Sequence, residues 1–167
     1  MAPVLNASAC SPVAPTAIHD EPLHILVVDD DADIRCLEAR ILTNAGHHVD
    51  MAADGFAAWR ALLVGRYNLL VTDYIMPGVS GLALVRQLRV ACVALPVVLV
   101  SGHLENLDIV RLKRDPWSCI QAFVRKPFTI PDLLSAVRSA AIAETTDAVS
   151  DHPRRTDLVS ASPTGAP

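Results

Sequence analysis

The stretch ILVVDDDADIR, residues 25–35, decides the fold. Its apolar half ends abruptly in three aspartates, and from Asp31 to Ala45 the apolar residues recur at helical spacing. A short, continuous apolar run is typical of a strand buried on both faces, as parallel strands are. The stretch therefore predicts a buried parallel strand, an acidic turn and a helix that Gly46 ends.

The same alternation of strand and helix continues along the chain. The predicted strands are short apolar runs, at His24–Val28, His48–Ala52, Asn68–Thr72, Val97–Val100 and Gln121–Arg125. The later helices are predicted at Phe56–Val64, from Leu82, at Leu104–Val110 and from Thr129, where Thr129 and Asp132 resemble a capping box. Such alternation with short connections predicts an α/β fold, a doubly wound parallel sheet with helices on both faces.

The composition limits the classes of function. The chain has 167 residues, of which 51% are hydrophobic, and this is enough for one domain with a buried core. A formal charge of −4 disfavours nucleic acid as a partner, and no apolar run is long enough to span a membrane. The four cysteines are scattered, so reduced thiols in the cytoplasm fit better than disulfides or a zinc site.

The two ends of the chain differ from its middle. Residues 1–23 and 144–167 are rich in proline and small or polar residues and lack a helical or strand period. We therefore expect a disordered leader and a disordered tail around a folded domain at residues 24–143. The tail is too short and too polar to fold alone, which predicts a single-domain protein without an output domain.

Polar residues stand where the predicted strands end. Asp29 and Asp30 follow the first strand, Asp73 the third, Ser101 the fourth and Lys126 the fifth. In open parallel sheets, functional groups gather outside the carboxyl ends of the strands. If the first and third strands are neighbours, three carboxylates converge, and one lysine cannot balance them. A hard cation such as Mg²⁺, bound by a few carboxylates and water, would balance the remaining negative charge.

Four segments carry a resemblance to a known family: ILVVDDDADIR, LLVTDYIMPGVSG, LPVVLVSG and FVRKPF. In this order and at this spacing they resemble the receiver domains of response regulators in two-component signalling. The resemblance covers the predicted folded part, from about His24 to Ala143. It implies a flavodoxin-like (βα)5 receiver, with a five-stranded parallel sheet in the strand order 2-1-3-4-5.

The resemblance also implies roles for individual residues. Asp73 matches the phospho-acceptor, which takes its phosphoryl group from a histidine kinase or a histidine phosphotransfer protein. Asp30 matches the direct Mg²⁺ ligand, Asp29 its acidic neighbour that acts through water, and Ile75 the residue whose backbone carbonyl completes the metal shell. The acceptor Asp73 is itself a metal ligand in this scheme.

Three further positions match the family pattern. Lys126 corresponds to the lysine that pairs with the acceptor and its phosphate, and the Lys126–Pro127 bond is usually cis in the family. Ser101 corresponds to the switch hydroxyl and Phe123 to the aromatic switch position. Phe123 is equally well interpreted as a core residue, because an aromatic side chain in a strand usually packs. Asp31 is interpreted as a helix N-terminal residue only.

One segment departs from the family. Residues 104–119 lack the usual small-residue turn before the fifth strand, and Pro116 is expected to end the fourth helix at or before Asp115. In the family this region belongs to the face that reports phosphorylation. The departure therefore concerns the output surface and leaves the predicted pocket intact.

The sequence leaves three functions to compare. The first is a single-domain response regulator or phosphate relay, monomeric or dimerising on phosphorylation, that signals to a downstream protein by contact. The second is an adaptor with a receiver fold that acts without phosphorylation. The third is a Mg²⁺-dependent hydrolase, which would need a second acid or base that Tyr74-Ile75 does not offer. We therefore expect no enzyme beyond Mg²⁺-dependent self-phosphorylation and self-dephosphorylation.

Overall fold

A single parallel sheet of five strands forms the centre of the computed structural model, which describes residues 21–102, 112 and 120–147, with side chains as far as 142. The strands are β1 (His24–Val28), β2 (His48–Ala52), β3 (Leu69–Asp73), β4 (Val97–Ser101) and β5 (Ile120–Arg125). Their order is β2-β1-β3-β4-β5, and every neighbouring pair is parallel. The predicted fold class and strand order are confirmed.

Four helices are described: α1 (Ala32–Asn44), α2 (Gly55–Val64), α3 (Gly81–Val90) and α4 (Ile130–Asp147). Buried residues of α1 and α4 pack on one face of the sheet, and those of α2 and α3 pack on the other. The sheet is therefore covered on both sides, as the alternation of elements predicts. The helix predicted at Leu104–Val110, and the whole departing segment except Leu112, lie outside the described residues.

The apolar run of β1 supplies both cores. Ile25 and Val27 belong to the cluster under α1 and α4, whereas Leu26 and Val28 belong to the cluster under α2 and α3. Successive side chains of a strand point to opposite faces, so a strand buried on both faces must be apolar at every position. This is why ILVV, and not an alternating pattern, marks the central strand.

Side-chain caps fix where the helices begin. Asp31 accepts hydrogen bonds from the backbone N–H groups of Asp33 and Ile34, so its predicted role at a helix N-terminus is confirmed. Before α4, the Thr129 backbone N–H donates to the Asp132 carboxylate, while the Asp132 N–H donates back to the Thr129 hydroxyl. This is the reciprocal pattern of the predicted capping box.

Some element ends differ from the predicted ends. Asp73 and Ser101 are the last residues of β3 and β4 rather than the first residues after them. The ladder continues through both, because their backbones pair with Val100 and Arg125 whatever their side chains are. Helix α4 continues past Ala143 to the end of the described residues, and residues 1–20 and 148–167 lie outside them. The leader and the tail therefore remain predictions.

None of the described helices combines the length and the apolar character needed to cross a membrane.

Candidate functional site

An ammonium group lies between two carboxylates at the carboxyl edge of the sheet. Lys126 Nζ donates to Asp29 Oδ2 at 2.6 Å and to Asp73 Oδ1 at 2.5 Å. The two aspartates end or follow neighbouring strands, β1 and β3, and Lys126 directly follows β5. Both carboxylates are almost wholly buried and the lysine is mostly so. Three of the sequence-predicted site residues therefore meet in one ion-pair network.

The backbone holds Asp29 at several points. The Asp31 N–H donates to Asp29 Oδ1 at 2.8 Å, and the Arg35 guanidinium donates to the Asp29 carbonyl at 2.6 Å. Since Oδ2 accepts from Lys126, each carboxylate oxygen of Asp29 has one donor and retains capacity for another ligand. The start of α1 thus orients this carboxylate toward the pocket.

Asp73 is held in a similar way by the turn that follows it. Its Oδ2 accepts from the backbone N–H of Ile75 at 2.7 Å, while Oδ1 accepts from Lys126. Helix α3 then begins directly against this residue, because a Cβ atom at Gly81 would overlap the Asp73 carbonyl oxygen. Only glycine allows this approach, so Gly81 helps to set the position of the end of β3 that carries Asp73.

The charged side chains in the pocket shift one another's pKa values. Burial raises the pKa of Asp73, and Asp29 raises it further, while the hydrogen bond from Lys126 opposes both. Burial alone would lower the pKa of Lys126, but its hydrogen bonds to the two aspartates outweigh burial and raise it. Lys126 therefore stays charged at neutral pH, and it limits the rise of the Asp73 pKa that burial causes.

A fourth acid lies beneath the pocket, and the sequence reasoning missed it. Glu38 of α1 is only 1% exposed, and neither carboxylate oxygen has a hydrogen-bond partner among the described residues. Burial, followed by the nearby Asp29 charge, raises the pKa of Glu38 from 4.5 to about 8. Its spacing from Ile34, Ile41 and Leu42 places it on the apolar face of α1, and this pattern could have revealed it.

The remaining predicted site residues lie around this network. Ser101 is buried, and its carbonyl accepts from the Lys126 backbone N–H at 2.8 Å. Phe123 is partly buried and packs against the core under α2 and α3. Ile75 and Asp30 have exposed side chains. The Lys126–Pro127 peptide bond is cis, as the resemblance implies.

The donor set is suited to a hard cation, but the three acids do not meet. Among the described residues, no three His, Cys, Asp or Glu side chains form a group that could hold a metal ion. Asp29 and Asp73 meet around Lys126, whereas Asp30 is turned to solvent. The carboxylate oxygens of Asp29 and Asp73 keep free lone pairs, so the chemistry of these two residues fits a hard cation.

Comparison with known proteins agrees with this geometry. The family model described as the response regulator receiver domain matches residues 25–138. This match covers the sheet from Ile25 of β1 through β5 and the first half of α4.

Individual relatives extend the comparison. The chain is 32% identical over 123 residues to the transcriptional regulatory protein TcrA of Mycobacterium tuberculosis, covering 70% of this chain and 45% of TcrA. It is 30% identical over 121 residues to the DNA-binding transcriptional regulator NtrC of Azospirillum brasilense, covering 72% of this chain and 24% of NtrC. The crystal structure of a response regulator receiver domain protein from Clostridium thermocellum superposes with a TM-score of 0.65 at 26% identity, covering 74% and 98% of the two chains. The chain thus spans less than half the length of these two curated relatives.

Proposed function

This chain belongs to the response regulator receiver domain family, and from that premise we propose that it is phosphorylated on Asp73 by a histidine kinase or a histidine phosphotransfer protein. The observation that carries the proposal is the position of Lys126, whose ammonium contacts both Asp29 and Asp73. A carboxylate is nucleophilic when it is ionised, a neighbouring ammonium favours that form, and carboxylates are recognised acceptors in covalent catalysis.

The transfer is a displacement at phosphorus. An oxygen of the Asp73 carboxylate attacks the phosphorus of a phosphohistidine, the phosphorus–nitrogen bond breaks, and the leaving imidazole nitrogen takes up a proton. Lys126 turns from Asp73 Oδ1 to an oxygen of the transferred group and balances its charge, while the Ile75 N–H keeps the carboxylate oriented. Attack by water later breaks the new oxygen–phosphorus bond and regenerates the carboxylate.

Receiver domains typically use Mg²⁺ at their acidic pocket, and we assign its binding here to Asp29, Asp30, Asp73 and the carbonyl of Ile75. When bound, Mg²⁺ neutralises charge on the phosphoryl oxygens. Asp29 and Asp73 are both fixed by backbone donors, whereas Asp30 is exposed and free to rotate toward the pocket. The proposed metal site therefore consists of two carboxylates with fixed positions, Asp29 and Asp73, and one carboxylate with an adjustable position, Asp30.

Ser101 and Phe123 are proposed to report the phosphorylated state. Ser101 ends β4 beside Asp73, and its carbonyl accepts a hydrogen bond from the backbone N–H of Lys126. A displacement of Ser101 would therefore also displace Lys126. Phe123 lies two residues before Arg125 on β5, and its partly buried ring packs against the core under α2 and α3. Phosphorylation would select one arrangement of this pair from an existing equilibrium.

The output is proposed to be contact with another protein rather than metabolism of a small molecule. The matched relatives are named as transcriptional regulators, and this chain corresponds to 45% of one and 24% of the other. The predictions that the domain does not bind nucleic acid and works in the cytoplasm are kept as parts of this proposal.

The experiment is incubation of the chain with acetyl phosphate and Mg²⁺, followed by intact mass measurement. Wild type and Asp33→Asn, which changes an exposed acid of α1, should gain one phosphoryl group, and Asp73→Asn should gain none. Chelation of Mg²⁺, or the substitution Asp30→Asn, should prevent the gain. Absence of phosphorylation in wild type, or an undiminished gain in Asp73→Asn, would overturn the proposal, and the former result would favour the adaptor function.

A further inference from the structure

An apolar stripe on α2 has no covering element among the described residues. Phe56, Trp59 and Leu63 are spaced three and then four residues apart, so they lie on one side of the helix. Phe56 is 68% exposed and Leu63 is 61% exposed, whereas Ala58 and Leu62 supply the buried side. The stripe is therefore additional to the core face of α2.

The stripe adjoins a groove between α2 and α3. Trp59 lines this groove together with Arg86, Gln87, Val90 and Ala91, and its volume is about 370 Å³. Val90, at the end of α3, is 80% exposed. A groove with apolar walls beside exposed apolar side chains is the kind of surface into which an amphipathic helix packs. The α2–α3 surface is defined here as Phe56, Arg60, Leu63 and the five groove residues.

The charge of this surface has one sign. Helices α2 and α3 contain Arg60, Arg86 and Arg89 and no acidic residue, although the whole chain has a formal charge of −4. Arg60 and Arg86 are exposed, and neither forms an ion pair with any residue that the structure describes. Asp54, at the start of α2, is engaged as a helix cap.

We propose that the α2–α3 surface binds an acidic amphipathic helix of a partner protein. The apolar side chains of that helix would cover Trp59, Leu63 and Val90, and its carboxylates would pair with Arg60 and Arg86. This interaction is separate from phosphorylation, since no residue of the surface belongs to the Asp73 pocket.

The charge pattern disfavours two other occupants. A second copy of this chain, related by a two-fold axis, would bring Arg60 and Arg86 against the same arginines, and like charges across an interface oppose association. Nucleic acid would pair with the two exposed arginines but would leave the apolar stripe in contact with phosphates, and two cations give little affinity for a phosphate backbone. An acidic amphipathic helix can cover the apolar residues of the surface with its own apolar side chains and can pair its carboxylates with the two exposed arginines.

The test uses a synthetic peptide of roughly 20 residues, long enough to form a helix, with leucine at positions i, i+3 and i+7 and glutamate at most others. A scrambled peptide of the same composition, with leucine distributed around the helix, is its control. Binding to the full ¹⁵N-labelled chain is followed by NMR shifts of backbone amides. We expect shifts confined to α2 and α3, with the patterned peptide only.

Paired variants test the contribution of charge. The double substitution Arg60→Glu with Arg86→Glu should weaken binding roughly tenfold or more, since it reverses both proposed charge pairs. Arg40→Glu with Arg138→Glu makes the same change of charge on exposed residues of α1 and α4 and should leave affinity unchanged. Asp73→Asn should also bind normally, which separates this proposal from phosphorylation.

The opposite results are equally clear. Equal binding of the scrambled peptide, shifts centred on another face, or equal losses in the two double variants would each refute the proposal. So would a failure of the patterned peptide to bind, or a dimer in sedimentation that Leu63→Ser dissociates, because the surface would then belong to self-association.

Discussion

The buried carboxyl of Glu38 gives the sharpest quantitative prediction. Because its pKa is raised from 4.5 to about 8 in the folded protein, the unfolded chain loses this proton at a lower pH than the folded chain does. Stability contributed by the protonated group is therefore complete below pH 4.5 and is lost as the pH rises toward 8. The loss grows by about 1.4 kcal/mol per pH unit and reaches roughly 3 kcal/mol at pH 7.

Two substitutions of Glu38 separate the effect of its ionisation on stability from the effect of its packing. Glu38→Gln keeps the shape of the side chain and an unpartnered polar group but cannot ionise. The free energy of unfolding of this variant minus that of wild type should therefore rise by about 3 to 4 kcal/mol between pH 5 and pH 8. Glu38→Leu should show the same pH dependence and an additional gain at every pH, because it also removes a buried polar group without a partner. Titrating groups that do not interact with Glu38 cancel in these differences.

The measurement is the free energy of unfolding from urea titrations followed by circular dichroism, at intervals between pH 5 and pH 8. Glu21→Gln, which alters an exposed glutamate, is the matched control and should run parallel to wild type. If the curves of wild type and Glu38→Gln also run parallel, the Glu38 carboxyl is not buried without a partner and the reasoning fails.

Three further predictions concern the pocket and its supports. Lys126→Met should shift the pH profile of phosphorylation by acetyl phosphate upward, because the Asp73 pKa is then raised by burial and Asp29 without the opposing hydrogen bond and charge of Lys126. Gly81→Ala should lower the free energy of unfolding by at least about 1 kcal/mol and slow phosphorylation, since the added methyl group displaces the strand end that carries Asp73. Thr129→Ala should cost about 1 kcal/mol of stability with normal phosphorylation, because it removes only a helix cap.

Each of these has a clear contrary result. An unchanged pH profile in the lysine variant would show that Lys126 does not control the ionisation of Asp73. A glycine variant as stable and as reactive as wild type would mean that α3 does not need its close approach. A cap variant that loses phosphorylation would tie the start of α4 to the pocket.

Much of the fold could be predicted because its sequence signals are local. The ILVV and VVLV runs, which are buried at every position, mark β1 and β4, and the alternation of periods separates strands from helices. The strand ends were placed one residue short at Asp73 and Ser101, since backbone pairing does not depend on the side chain. The position of the fourth predicted helix remains a prediction.

The candidate site was predictable in its members but not in its geometry. Strand order alone brings Asp29, Asp73 and Lys126 to one edge, and this convergence follows from the sequence. The expected meeting of three carboxylates is not present, because the direction of the Asp30 side chain depends on its rotamer. Glu38 was not predicted because it interrupts the apolar face of a helix, whereas the predicted site residues stand at strand ends.

The position of Lys126 also bears on how the protein is made. Ribosomes deliver β1 and β3 before β5, so Asp29 and Asp73 can approach each other before the residue that neutralises them exists. Their repulsion then opposes early completion of the sheet, and the arrival of β5 both adds the edge strand and removes that repulsion. Charge balance between these three side chains is therefore possible only after the last strand has been synthesised.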